Sequence, residues 1–299
     1  MGRKKNVFSG CATALVTPFY RGEIDYTSLG ELIDFQIANG ADALVLLGTS
    51  GEASTISESE REKIISFGAE RIAKRVPLIV GCGSNCTETS VKYSKSAESL
   101  GADALLIVTP YYNKASEVGL YAHYKTVASS VSVPIIIYNV PSRTGVNVPM
   151  SVYRELSRVD NIVAVKEASG NIAYAEELCS LYGSYFDVYS GNDDIILPML
   201  SLGAKGVISA TSNIVPSYIH QLCREYEAGN IEKSRQIQLY LLPLIKEMFA
   251  EVNPIPVKTA LSLMDMCHEE FRLPMCKSTR TRQIRDILRR YSLIGKQST

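Results

Sequence analysis

The sequence predicts an α/β fold, a (β/α)8 (TIM) barrel followed by a C-terminal helical appendage. Short apolar runs rich in β-branched residues recur along the chain, with amphipathic stretches between them. Continuous apolar runs are typical of parallel strands that are covered on both faces by crossover helices. Because eight such runs follow one another at near-regular spacing, and no GxGxxG motif follows the first, a closed barrel is favoured over an open doubly wound sheet. The runs are Cys11–Val16, Ala43–Leu47, Leu78–Val80, Ala104–Val108, Pro134–Tyr138, Ile162–Val165, Phe186–Tyr189 and Gly206–Ser209.

An internal repeat supports the same βα units. The segment GADALVLLGT at residues 40–49 resembles GADALLIVTP at residues 101–110. In both copies the first glycine is expected to end a helix, and the apolar residues after it are expected to form a strand.

The chain is predicted to divide into a barrel, residues 1–225, and a C-terminal helical domain, residues 226–299. After Ser209 the pattern changes to long helical periodicity and predicts no further strand. Five prolines are expected to break the helices of this later part, namely Pro216, Pro243, Pro254, Pro256 and Pro274.

Composition narrows the classes of function. The 31 basic and 31 acidic residues cancel, so the sequence predicts neither a nucleic-acid partner nor attraction to an anionic membrane. Arg3, Lys4 and Lys5 are expected to form a solvated tail, and no apolar segment long enough for a signal peptide or membrane span follows them. Seven cysteines without a CxxC pair suit a reducing cytoplasm, with Cys82 and Cys86 as buried or inert thiols rather than metal ligands.

The residues that end the strands are the candidates for chemistry, because barrel enzymes carry their active sites at that face. Lys166 directly follows the run Ile-Val-Ala-Val, so its amine is expected to enter the barrel mouth. Nucleophilic attack needs the neutral amine, which burial favours. Lys258, on a later helix, is interpreted as an ordinary solvent-exposed lysine.

Three neighbouring loops carry groups that suit such a lysine. Tyr138 ends the preceding strand, so its phenol is expected to pass protons to and from an adduct on Lys166. Thr49 and Ser50 lie in GTSGE, which could bind a carboxylate through backbone N–H groups and hydroxyls or could be a tight turn with a helix N-cap. Arg143 could bind a carboxylate with both guanidinium nitrogens or remain in solvent.

Taken in order, the motifs GTSGE, TPYYN, YNVPSRTG, VAVKEASGN, YSGNDD and NPIPVK resemble the pyruvate-dependent class I aldolase and lyase superfamily. The likeness is greatest to its dihydrodipicolinate synthase family. The resemblance implies condensation of pyruvate with L-aspartate 4-semialdehyde on the diaminopimelate route to lysine, with no metal and no cofactor. It also implies a homodimer that completes the site, and a tetramer built from two such dimers.

The resemblance assigns a role to each matching residue. Lys166 would carry the Schiff base, and Tyr138, Thr49 and Tyr112 would form a proton relay, with Tyr112 reaching in from a neighbouring subunit. Ser50 would hold the carboxylate of pyruvate and Arg143 that of the semialdehyde. The backbone at Gly191 and Ile208 would line the pocket.

A departure from the family pattern bears on regulation. Members that lysine inhibits carry a histidine where Arg61 stands and a glutamate where Thr89 stands, whereas Ala53, Asn85 and Tyr111 remain compatible with such an effector pocket. A bound lysine would lose the carboxylate partner of its ammonium group. The sequence therefore predicts weak or absent inhibition by lysine.

Other interpretations stay open at this point. GTSGE and the lysine after the sixth strand would also fit a sugar-acid aldolase or lyase of the same superfamily. A phosphosugar aldolase would need a phosphate site after strands seven and eight, where Asp193 and Asp194 would repel the ligand. A non-catalytic binding barrel is the third alternative, since a fold alone does not establish a function.

Overall fold

The computed structural model describes residues 6–295. The basic tail predicted at Arg3, Lys4 and Lys5 lies outside the described residues. Eight parallel strands form a closed barrel in which each strand pairs with its neighbours in chain order and the first pairs with the last. Their bounds are β1 Gly10–Ala14, β2 Ala43–Leu46, β3 Leu78–Gly81, β4 Ala104–Val108, β5 Ile135–Asn139, β6 Ile162–Glu167, β7 Asp187–Ser190 and β8 Gly206–Ser209.

The predicted barrel is confirmed, and its strands differ from the predicted runs only at their ends. The first strand stops at Ala14, because the N–H of Val16 donates to the side chain of Asn213 instead of to a neighbouring strand. The sixth strand continues through Lys166 to Glu167, so the lysine belongs to the sheet rather than to the loop after it.

Helices cover the outside of the barrel and form the C-terminal part. Both glycines of the internal repeat follow a helix with a left-handed backbone, at φ 86° for Gly40 and 99° for Gly101, as the repeat predicts. The helices are α1 Tyr26–Ala38, α2 Glu58–Ile72, α3 Thr87–Ser99, α4 Glu117–Ala128, α5 Pro141–Thr144, α6 Met150–Leu156, α7 Ile172–Tyr182, α8 Ile196–Ser201, α9 Pro216–Glu227, α10 Ile231–Met248, α11 Ile255–Leu263 and α12 Thr281–Arg290.

The C-terminal part is helical, as predicted, and residues 210–295 contain no strand. The prediction that Pro243 breaks a helix is wrong, because it lies inside α10. A proline there removes one intrahelical hydrogen bond, and the carbonyl that loses its donor belongs to the exposed Leu239, where water can replace the bond. The division of the chain after residue 225 stays a prediction.

A small hairpin was not predicted. Phe19–Tyr20 pairs antiparallel with Glu23–Ile24 after the first barrel strand. Its two turn residues, Arg21 and Gly22, both have positive φ, and arginine is not a usual signal for that turn. No helix within residues 6–295 is long and apolar enough to cross a membrane.

Two apolar layers fix which way each strand residue points. One fills the space between strands and helices, and the other fills the barrel interior. On β6, Val165 belongs to the outer layer and Ala164 to the interior, so the alternation of a strand directs Lys166 inward and Glu167 outward. On β5 the interior residues are Ile136 and Tyr138. The site therefore forms where the interior layer meets the C-terminal mouth.

Candidate active site

The centre of the site is a lysine and a tyrosine on adjacent strands. Tyr138 on β5 pairs in direct register with Lys166 on β6, and both point into the barrel. Each is nearly buried, with 7% of Tyr138 and 6% of Lys166 exposed. The Nζ atom of Lys166 lies 4.4 Å from the centre of the Tyr138 ring. Parallel register thus places an amine and a phenol together at the end of a buried strand pair.

A cavity of about 150 Å³ opens at this mouth. It brings together every residue that the sequence analysis assigned to the substrates and three of the four assigned to catalysis. Its lining also includes Asn253 and Phe249 from the C-terminal part, which the sequence analysis did not assign to the site. The predicted residues that line it are Thr49, Ser50, Tyr138, Arg143, Lys166, Gly191 and Ile208.

Asn253 joins two of the predicted binding residues. Its side-chain amide donates to the hydroxyl of Ser50 at 3.0 Å, and its backbone carbonyl accepts from the guanidinium of Arg143 at 3.2 Å. Ser50 is buried, whereas Arg143 is exposed and keeps nitrogens free for a ligand at the rim. Asn253 is the first residue of the motif NPIPVK, so the resemblance included this segment without indicating its contacts.

The GTSGE segment is a tight turn, and it lines the cavity as well. Gly51 N–H donates to the carbonyl of Gly48, and Glu52 N–H donates to that of Thr49. The N-cap in the alternative interpretation of this segment is absent, because Glu52 precedes the 3₁₀ turn Ala53–Thr55 and makes no side-chain capping hydrogen bond. Among the described residues no hydrogen bond joins the hydroxyls of Thr49 and Tyr138, so the proton relay stays a prediction.

Tyr112 lies away from this cavity. It is 91% exposed and has φ 70°, at the tip of the loop after β4. Its neighbour Tyr111 is 37% exposed and lines a second, larger cavity of about 330 Å³. Within one subunit, both cavities therefore form without a contribution from Tyr112.

The second cavity contains most of the predicted effector residues. Ala53, Arg61, Thr89 and Tyr111 line it, and Asn85 does not. It shares residues with the first cavity, among them Thr49, Tyr138 and Arg143, so the two adjoin.

Arg61 is held inside the protein rather than aimed into that cavity as a free cation. It is 5% exposed, donates to the carbonyl of Gly81 at 2.6 Å and lies 4.2 Å from the centre of the Tyr93 ring. These contacts already occupy part of its hydrogen-bonding capacity.

Two buried carboxyl groups belong to the segments around the site, Glu167 at the end of β6 and Asp193 in the loop after β7. Burial raises the pKa of Asp193, against hydrogen bonds and the nearby charge of Lys166, which lower it. Its carboxylate accepts a hydrogen bond from the N–H of Thr211, the second residue after the end of β8. A phosphate in a sugar-phosphate aldolase would need such an N–H group, so this contact weakens that alternative.

Glu167 faces the opposite side of its strand. Burial raises the pKa of its carboxyl group, and hydrogen bonds from Ser169 and Asn139 lower it in part. The side-chain amide of Asn139 donates to this carboxylate at 2.7 Å, and these two residues pair in register one position beyond Tyr138 and Lys166. A polar contact on the outer face therefore accompanies the reactive pair on the inner face.

The interpretation of Lys258 as a solvent-exposed lysine is wrong. Its side chain is 0% exposed, and its Nζ atom lies 2.6 Å from the carboxylate of Glu52, which is 1% exposed. Desolvation lowers the pKa of Lys258, while Glu52 opposes that shift. A charged side chain on an amphipathic pattern gives no sequence signal for a carboxylate 206 residues away.

The cysteines are free thiols. Cys82 is buried, Cys86 is exposed, and within residues 6–295 no cluster of three histidine, cysteine or acidic side chains could hold a metal ion. Burial raises the pKa of Cys82 to about 12, whereas hydrogen bonds from Thr89 lower that of Cys86.

Fold and site together define a (β/α)8-barrel enzyme with a nearly buried lysine at the C-terminal mouth. The model of the Dihydrodipicolinate synthetase family matches residues 7–289, and the chain belongs to this family. It is 48% identical over 291 residues to a 4-hydroxy-tetrahydrodipicolinate synthase of Thermoanaerobacter pseudethanolicus, covering 96% of this chain and 98% of that one.

Solved structures agree with this assignment. The dihydrodipicolinate synthase of Aquifex aeolicus superimposes with a TM-score of 0.95 at 44% identity, covering 97% of this chain and 100% of that one. The enzyme of Thermotoga maritima gives a TM-score of 0.95 at 43% identity, with the same coverage.

Proposed function

We propose that the protein condenses pyruvate with L-aspartate 4-semialdehyde to give 4-hydroxy-tetrahydrodipicolinate, on the diaminopimelate route to lysine. The observation that carries the proposal is the placement of Lys166 Nζ in the cavity, 4.4 Å from the Tyr138 ring. Relatives that bear this name cover nearly the whole chain, which supports the same activity.

Lys166 supplies the nucleophile. Its neutral amine attacks the keto carbon of pyruvate, and the carbinolamine that forms loses its hydroxyl group as water when a proton is delivered to it. Tyr138 lies beside that amine and serves as the proton donor and acceptor. The product of this half-reaction is an iminium ion, which loses a methyl proton to become an enamine.

The enamine attacks the aldehyde carbon of the semialdehyde, whose oxygen takes a proton and becomes the new hydroxyl group. The amino group of the semialdehyde then adds to the iminium carbon and expels Lys166, which closes the ring as a cyclic imine. One carbon–carbon and one carbon–nitrogen bond form, and one water is released in the whole sequence. The reaction therefore needs no oxidant and no external reductant.

Two carboxylates must be held during this sequence. The hydroxyl of Ser50 and the N–H groups of its glycine-rich turn suit the carboxylate of pyruvate, and Gly191 and Ile208 line the same cavity. Arg143 stands at the rim, where its guanidinium suits the carboxylate of the semialdehyde.

Completion of the site by a second subunit belongs to the same proposal. Thr49 and Tyr138 line the cavity, and the exposed Tyr112 of a partner would extend their relay. A homodimer is the smallest assembly that can do this, and a tetramer of two dimers follows from the family resemblance. Seven free thiols suit a cytoplasmic enzyme.

Weak or absent inhibition by lysine is also proposed. Thr89 lines the larger cavity where an inhibited enzyme would need a carboxylate, so the ammonium group of a bound lysine would have no carboxylate partner at that position. Assaying the condensation in millimolar lysine tests this, and strong inhibition would refute it.

The function is tested by supplying pyruvate with L-aspartate 4-semialdehyde, and in parallel with sugar aldehydes. Condensation of the semialdehyde by wild type but not by Lys166→Ala is the expected result. A pyruvate adduct without that condensation would move the assignment to a sugar-acid aldolase or lyase. If borohydride reduction traps no pyruvate on the protein, a non-catalytic binding barrel is favoured.

A further inference from the structure

A buried ion pair connects the catalytic loop to the C-terminal part of the chain. Glu52 and Lys258 are 1% and 0% exposed, and their charged atoms lie 2.6 Å apart. Two aromatic rings enclose the ammonium group, with Nζ 4.0 Å from the centre of the Phe19 ring and 5.0 Å from that of Phe271. Neither charge can exchange its partner for water without the two chain segments separating.

Such a pair is a poor way to gain stability alone. Removing two charges from water carries a large penalty, and apolar side chains of similar size often stabilise a protein as well or better. What a buried ion pair adds is a fixed separation between two chain segments, because moving its charges apart inside the protein is strongly unfavourable. The location of the pair therefore decides what it does.

Glu52 ends the turn that presents the hydroxyls of Thr49 and Ser50 to the cavity. Its N–H donates to the carbonyl of Thr49 at 3.2 Å. Its own backbone has φ 52°, a left-handed conformation that a glutamate rarely adopts and that its surroundings must hold in place. A displacement of the Glu52 backbone would therefore act on Thr49 through this hydrogen bond.

The C-terminal segment contacts the same turn at further points. Asn253 donates to Ser50, five residues before Lys258. The N–H of Arg272 lies 3.4 Å from the second carboxylate oxygen of Glu52, and its guanidinium donates to the carbonyl of Thr55 at 3.0 Å. The catalytic turn is thus contacted by three residues of the C-terminal segment. They are Asn253, Lys258 and Arg272, of which Lys258 forms the buried ion pair.

We infer that Glu52 and Lys258 are positioning residues for the reaction, and that their ion pair sets the places of the Thr49 and Ser50 hydroxyls in the pyruvate site. The inference deepens the proposed function and rests on it. Neither residue touches substrate, and both act through the turn. Misplacing that turn by about 1 Å would reduce kcat/KM for pyruvate by roughly 100-fold.

The test is a double-variant comparison. Glu52→Gln/Lys258→Met removes both charges and keeps the side-chain volumes near those of the wild type, so the fold should retain its melting temperature. We expect kcat/KM for pyruvate and the rate of borohydride trapping at Lys166 to fall by roughly 100-fold in this folded double variant. The matched control is Glu225→Gln/Lys233→Met, which removes an ion pair between α9 and α10 and should leave both rates unchanged.

A merely structural pair would give a different result. If the double variant keeps both its melting temperature and its wild-type rates, or if each rate falls only in proportion to the folded fraction, the inference is overturned. Should the double variant not fold, Glu52→Asp decides, because it keeps the charge pair and shortens only its reach. A lower rate in folded Glu52→Asp than in wild type supports the positioning role of the ion pair. Full activity of this variant overturns that role.

The proposed function is checked separately in wild type. If wild type forms no pyruvate adduct at Lys166, the proposed function fails before the ion pair is tested. If wild type forms the adduct and the folded variants form it equally fast, the function stands and the positioning role fails.

Discussion

Lys166 and Lys258 are both buried on an aromatic ring, yet their surroundings suit opposite tasks. Lys166 lies 4.4 Å from the Tyr138 ring centre, and it forms no ion pair within residues 6–295. Lys258 lies 4.0 Å from the Phe19 ring centre and is bound to Glu52. A lysine that forms no ion pair and lines a cavity is available for covalent chemistry, whereas a paired and enclosed lysine can position other groups but cannot act as the nucleophile.

The largest expected effect comes from Lys166→Met. Removing a covalent nucleophile should lower the condensation rate by roughly 10⁴-fold or more. Since no ion pair is lost, the free energy of unfolding should change by less than about 1 kcal/mol. Steady-state assays and urea denaturation on the same preparation check both parts. Retained condensation would contradict the assignment of Lys166.

Tyr138→Phe removes the hydroxyl group and keeps the aromatic ring beside Lys166. We expect kcat/KM to fall by roughly 10²–10⁴-fold, the range of a lost acid–base catalyst, although the ring contact with the amine remains. Tyr124→Phe is the matched control, since it removes a buried hydroxyl that donates to the carbonyl of Ile107 outside the site. Equal effects of the two substitutions on activity would show that Tyr138 has no special role.

The same methionine substitution at Lys258 should act on stability first. It leaves the Glu52 carboxylate buried without its cation, which should lower the free energy of unfolding by about 3–5 kcal/mol. Chemical denaturation measures this directly. The comparison of the two lysines would fail if Lys166→Met destabilised the protein more than Lys258→Met.

The smallest effect is a pH dependence at the C-terminal junction. The guanidinium of Arg272 lowers the pKa of Glu60 from 4.5 to about 2. A carboxyl group whose pKa is lower in the folded state adds stability above its unfolded pKa and loses it as the pH falls from 4.5 to 2. Because Glu60 is partly exposed, we expect about 1 kcal/mol or less. Unfolding of Glu60→Gln should depend less on pH in that window, and an unchanged slope would contradict this.

The two lysines also show what the sequence could and could not predict. The run Ile-Val-Ala-Val before Lys166 identified a buried strand, and strand alternation then placed the amine in the barrel mouth. Lys258 lies on a helix whose pattern contains no sign of its partner. A buried ion pair between distant segments depends on how the chain returns to itself, which local periodicity does not encode.

The same distinction holds elsewhere in the molecule. Eight strands were predictable because each is a continuous apolar segment, and Gly40 and Gly101 marked the helix ends between them. The sequence predicts a helix break at Pro243, but a proline can lie inside a helix where the carbonyl that loses its donor is exposed to solvent, and that exposure is set by the fold. The role of Asn253 depends on contacts with Ser50 and Arg143, which become adjacent only in the folded barrel.

The position of the pyruvate adduct shows directly whether Lys166 is the nucleophile. Wild-type enzyme is reduced with borohydride in the presence of pyruvate, digested, and analysed by peptide mass spectrometry. We expect a reduced pyruvyl group on the peptide that contains Lys166 and none on the peptide that contains Lys258. An adduct at Lys258, or no adduct at either lysine, would show that Lys166 is not the nucleophile.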